Sequence, residues 1–139
     1  MELDLCVLEK ERKMKELKYN ERIAVMRILL DIIMADNRID GREKQLFEET
    51  GKELGLDESA KQEVESLNSL LALAIIHDFT PEQKAEFAKL MGRMIVVDKD
   101  INYNEVKIYH VVNEFCHINV EFKIDDYPEY TLSWKCLDK

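Results

Sequence analysis

The feature that most constrains this chain is an internal repeat. Residues Asn20 to Phe47 align without a gap on Glu82 to Tyr109 at an offset of 62, pairing Val25 with Phe87, Ile28 with Leu90, Ile33 with Ile95 and Leu46 with Ile108. Polar positions follow the same register: Arg27 falls on Lys89, Asp31 on Arg93, and both copies carry D-x-x-I-[D/N]-x-x-E, at Asp36 to Glu43 and at Asp98 to Glu105. Two copies are too few for a solenoid, whose repeats bury their faces only by stacking in threes or more. The repeat therefore predicts one all-α, pseudo-twofold bundle of two helix-loop-helix units, repeat 1 over 20–54 and repeat 2 over 82–116.

Between Asn20 and Ala35 the polar residues Asn20, Arg27 and Asp31 form a narrow stripe and the other positions are dominated by aliphatic residues, the pattern of a helix enclosed by others. Glu82, Glu86, Lys89 and Arg93 form the equivalent stripe of the second copy. The helices that follow start at Asp40 and Asn102, good N-cap residues each followed three positions later by glutamate, Glu43 and Glu105, which spells a capping box. Thr80-Pro81-Glu82-Gln83 is a further start signal with proline at the first helical position. A linking helix, or two short ones, is predicted over 57–77, and an amphipathic N-terminal helix over Leu3 to Leu17. Beyond His117 the period drops to two (Ile118, Val120, Phe122, Ile124), and Tyr130, Leu132 and Trp134 alternate again after the turn signal Asp125 to Pro128. That pattern predicts a C-terminal β-hairpin or extended arm over 118–139.

Composition narrows the classes of partner. The 139 residues carry a formal charge of −9, with 20 Lys and Arg against 29 Asp and Glu, and a pI near 4.9. A negative field opposes binding to nucleic acid and to an anionic membrane surface and favours a cation or a basic protein partner. The longest apolar run, Leu70 to Ile76, is far short of a membrane span, and Met1 to Asp4 lacks the positive start of a signal peptide, so a cytoplasmic location is expected. Cys6, Cys116 and Cys136 are odd in number and lack a CxxC spacing, which reads as reduced thiols. No Walker loop, dinucleotide fingerprint, serine elbow or HExxH occurs, and no enzyme is expected. His77, His110 and His117 have no metal-ligand spacing and read as surface or cap residues.

Capping accounts for Asp40, Glu43, Asn102 and Glu105, at about 0.5–2 kcal/mol per cap. It does not account for Asp36 and Asp98, which follow helices whose negative dipole end disfavours a carboxylate by about 0.3–1 kcal/mol. Helix termination or an Asx-turn is one reading of both. The other is a ligand set: if the pseudo-twofold draws the loops together, Asp36, Asp40, Glu43, Asp98, Asp100, Asn102 and Glu105 crowd their oxygens at one place. Carboxylates about 5 Å apart repel by roughly 3 kcal/mol at an effective dielectric of 20 and call for a counter-cation. An all-oxygen set selects Ca²⁺, Mg²⁺ or Mn²⁺, with Zn²⁺ a poorer fit. Arg38, Arg42 and Lys99 are the internal alternative for neutralising it. Neither loop is an EF-hand: Tyr103 replaces the required glycine and Tyr109 the bidentate glutamate in one register, Arg38 and Phe47 break the other.

Over about Glu21 to His117 the chain resembles the TerB-like (tellurite-resistance protein B) domains, a group that extends to the N-terminal segment of some membrane-bound DnaJ-type co-chaperones. The carriers are Ala35-Asp36-Asn37-Arg38-Ile39-Asp40-Gly41-Arg42-Glu43 and Val97-Asp98-Lys99-Asp100-Ile101-Asn102-Tyr103-Asn104-Glu105, each behind an apolar helix. The resemblance implies an all-helical pseudo-twofold domain whose acidic loops hold a divalent metal, linked to responses to tellurite or other stress. Asn102-Tyr103 stands where the family pattern has Asp-Gly, which removes one negative charge from the second loop. The metal-free alternative is a protein interaction domain that uses its acidic face.

Overall fold

The structure, a computed structural model, describes residues 16–35, 40–97 and 101–128. The predicted N-terminal helix, all but its last two residues, lies outside them. Six α-helices account for most of the described chain: α1 Tyr19–Ile33, α2 Gly41–Glu53, α3 Lys61–Ser66, α4 Ser69–His77, α5 Pro81–Val96 and α6 Tyr103–Phe115, with single 3₁₀ turns at Glu58–Ala60 and Ile124–Asp126.

The sequence offset of 62 reappears in these boundaries. Shifted by it, α2 coincides with α6 at both ends and α1 with α5 to within one residue. The ends are built alike as well. At the start of α1, Lys18 N donates to Glu21 Oε1 at 2.7 Å, and at the start of α5, Thr80 N donates to Gln83 Oε1 at 3.0 Å while Gln83 N returns a bond to Thr80 Oγ1 at 3.2 Å. At the end of α2, Gly55 N bonds Lys52 O and Leu56 N bonds Gly51 O, both at 2.9 Å; at the end of α6, His117 N bonds Glu114 O at 3.3 Å and Ile118 N bonds Asn113 O at 3.0 Å. This double bond satisfies the terminal carbonyls and needs a left-handed residue after the helix. Gly55 supplies it at φ 76° and His117 at φ 54°.

Helix α1 packs on all five other helices, and α5 on α1, α2 and α6, so the first helix of each repeat touches the second helix of both. Ile23, Ala24, Val25, Met26, Ile28, Leu29, Ile32 and Ile33 of α1 are buried, as are Phe87, Ala88, Met91, Met94 and Ile95 of α5. Met34, one residue beyond the end of α1, is half exposed. The polar stripe of α1 fastens the linker. Arg27 Nη2 pairs with Asp31 Oδ1 at 2.6 Å, Arg27 Nη1 donates to Glu65 O at the end of α3, and Ser69 Oγ donates to Asp31 Oδ2 at the start of α4. The linker divides where Asn68, with extended backbone, caps α4 by accepting from Leu70 N and Leu71 N.

The period-two stretch after His117 forms no strand, which corrects the hairpin reading for its first half; the second half, from Tyr130, lies outside the described residues. The alternation reports one-sided burial. Ile118, Val120 and Phe122 pack on the helical core while Asn119, Glu121 and Lys123 face solvent. Side chains of α6 replace a neighbouring strand: Val120 N donates to Asn113 Oδ1 at 3.1 Å, and Val120 O accepts from the Tyr109 hydroxyl at 2.6 Å. The strap ends at Tyr127, buried over α5 with its hydroxyl 3.5 Å from Ala88 O, where the glycine at position 92 makes room for the ring: a Cβ there would overlap the Tyr127 hydroxyl.

Gly92→Ala is expected to lower stability by about 1–3 kcal/mol through overpacking. Hydrogen exchange should show the loss concentrated in residues 118–128 and α5, and a uniform loss across the bundle would contradict the strap. Burial, with a smaller contribution from Asp126, pushes the Tyr127 hydroxyl up to about 12, and burial raises Tyr109 as well. Because the folded state holds these protons more tightly, their contribution is complete below pH about 10 and drains as pH rises towards 12. Urea titrations from pH 8 to 12 should therefore show a stability loss in wild type that is shallower in Tyr127→Phe.

Candidate functional site

Four of the seven residues singled out as oxygen ligands, Asp40, Glu43, Asn102 and Glu105, are described; Asp36, Asp98 and Asp100 lie outside the described residues. Asp40 and Asn102 occupy the N-cap positions of α2 and α6 with extended backbone, as expected. Asp40 Oδ1 accepts from Arg42 N at 2.7 Å and Asn102 Oδ1 from Asn104 N at 2.8 Å. Their carbonyls receive the first helical bonds, from Lys44 N and Val106 N. The two caps thus orient the first turns of α2 and α6 in the same way.

The glutamates do something the capping motif does not require. The equivalent third residues of α1 and α5, Glu21 and Gln83, lie in partly exposed surroundings. Glu43 and Glu105 are 2% and 1% exposed. They sit one turn into helices that both lean on α1 and α5, so each carboxylate points into the helical interior. A carboxylate at that depth is stable only among donors, beside positive charge or protonated. Sequence alone assigned these residues from the S/T/D/N-x-x-E spacing. Their burial had one visible signal, their place in the same register as the apolar inward positions Leu46 and Ile108, three residues on.

Among the described residues no group of three or more His, Cys, Asp or Glu is arranged to hold a metal ion. The tertiary structure does bring together two residues that sequence spacing left apart, His77 and His117, with ring centroids 5.6 Å from each other. His110 stays separate, edge-on to Tyr109. Cys116 is buried and its thiol, 3.5 Å from Leu73 O, is pushed up to about 11 by burial, which makes it an inert core group.

The described residues define a class: an all-helical bundle in which two helices of equal length, α2 and α6, each bury a glutamate at their third position. Residues 8–66 match the family model described as Tellurite resistance protein TerB. The match takes in α1, α2 and α3 and ends before the second repeat. In structure, the chain is similar to a crystallised protein of unknown function from Porphyromonas gingivalis W83, with a TM-score of 0.65 and 20% identity over 76% of this chain and 90% of that one, which shows a shared fold. No curated protein matches the chain. Among the described residues no helix is long and apolar enough to cross a membrane.

Removing one cap by Asp40→Ala or Asn102→Ala should lower stability by about 1 kcal/mol each, and the two losses should add, since the caps act locally. Glu43→Ala and Glu105→Ala should cost more, about 2–4 kcal/mol, because they leave a space and strip partners from buried groups. Equal losses for caps and glutamates in denaturant titrations would mean that the glutamates act as surface caps only.

Proposed function

We propose that this chain is a non-enzymatic TerB-like module that binds a divalent cation through its two acidic loops, in a response to tellurite or to general stress. The observation that carries this reading is the matched burial of Glu43 and Glu105 in the first turns of α2 and α6. In this proposal the pseudo-twofold relation of the repeats sets the loops side by side. Asp36, Asp40 and Glu43 then meet Asp98, Asp100, Asn102 and Glu105, the glutamates closing the inner side of the site. Such an oxygen set takes Ca²⁺, Mg²⁺ or Mn²⁺ ahead of Zn²⁺. The TerB match over residues 8–66 supports the same reading for the first loop.

The test is a thermal-unfolding panel with chelator and with each of the four ions, on wild type and on the double variant Asp36→Asn/Asp98→Asn. An ion held at 100 times its dissociation constant should stabilise the wild type by about 2.7 kcal/mol, and the double variant should lose the shift. A panel without any shift would discard the cation. It would leave the alternative favoured by the net charge of −9, a cytoplasmic interaction domain whose acidic face engages a basic protein with an affinity that falls steeply with salt.

A further inference from the structure

His77 is the last residue of α4 and His117 the first beyond the C-cap of α6. Forty residues apart in sequence, they meet because α4 and α6 pack together. Their rings lie 5.6 Å apart between centroids at 67°, and the Phe115 ring stands 6.1 Å from His77. Both are exposed, the His77 side chain by 45%. We propose that His77 and His117 form a two-imidazole site for a transition cation of the Zn²⁺, Cu²⁺ or Ni²⁺ class.

The distance fits chelation. A metal about 2.0–2.1 Å from one nitrogen of each ring, at an ordinary coordination angle, sets the two centroids roughly 5–6 Å apart. Asp78 Oδ1 lies 3.3 Å from His77 Nδ1, so a cation held at Nε2 would have a carboxylate beside the other ring nitrogen, the usual support of a ligating histidine. The field is favourable too, since two helix C-termini, each the negative end of its dipole, converge on the pair, and the Asp78 carboxylate adds to them. Imidazole nitrogen selects Zn²⁺, Cu²⁺ and Ni²⁺, whereas the acidic loops offer oxygen to harder ions, so this site stands or falls apart from the reading above.

The internal repeat supplies a control. The same helix ending, with the same two backbone hydrogen bonds, carries Gly55 in repeat 1 and His117 in repeat 2. Glycine adopts the left-handed conformation without penalty, and a side chain there is unfavourable. Repeat 2 thus holds an imidazole at a place where backbone geometry alone asks for glycine, and that imidazole is the one that meets His77. An outlier of this kind points to a use for the side chain. Water would complete the coordination sphere, leaving an open surface site rather than a closed structural one.

The experiment uses the untagged full chain with ZnCl₂, NiCl₂ and CuSO₄, followed by isothermal titration and by NMR of the imidazole signals. His117→Gly is the informative variant, because it restores the residue that the backbone prefers and keeps the fold. His77→Ala removes the other ligand, and His110→Ala and Asp36→Asn/Asp98→Asn serve as controls. The expected result is one ion per chain, with the His77 and His117 signals perturbed together. Either substitution should weaken binding by about tenfold or more, since the second ligand no longer acts intramolecularly, and the controls should bind as wild type. Unchanged binding in His77→Ala and His117→Gly, loss in His110→Ala, or loss in the loop double variant would each overturn the proposal.

Discussion

Helix α1 has no solvent side wide enough for a charged face, because all five other helices pack on it. Its two mid-helix polar residues, Arg27 and Asp31, with side chains 21% and 23% exposed, pair with each other and reach Glu65 O and Ser69. A partly exposed pair adds little stability by itself, and its bonds to the linker chiefly fix geometry. Here it fixes how the linker leaves α3 and enters α4. That placement sets α4 against α6 and brings the ends of those two helices together.

The two repeats solve the same local problems with different residues. Both first helices begin with a side chain reaching back to the N-cap amide, through Glu21 in one and Gln83 in the other. Both second helices begin with an Asx cap and bury a glutamate one turn later. Where the copies diverge, the divergence is informative. Lys18 lacks the acceptor that Thr80 provides, and His117 takes the place of Gly55. Hydrogen-bonding geometry is kept while the side chain is released for another purpose.

Much of the fold was legible because helix formation is local. The repeat, the starts at Asp40, Thr80 and Asn102, and the enclosed character of α1 all follow from spacing and capping chemistry that act within a turn or two. The C-terminal strap shows where such reasoning stops. A period of two reports that one side of an extended chain is buried, and it is silent on whether the neighbour is a strand or, as here, the Tyr109 and Asn113 side chains. Likewise, Glu43 and Glu105 were legible as cap residues and not as buried ones, since burial depends on which helices lean over them.

The order of the helices was thus determined by the chain itself, along with the acidic character of the loops. Tertiary structure alone decided that the glutamates turn inward, that residues 118–127 run as a strap ending with Tyr127 on α5, and that His77 lies against His117. These are contacts between segments tens of residues apart. They are set by how apolar surfaces fit, a property of the assembled bundle that no local pattern encodes.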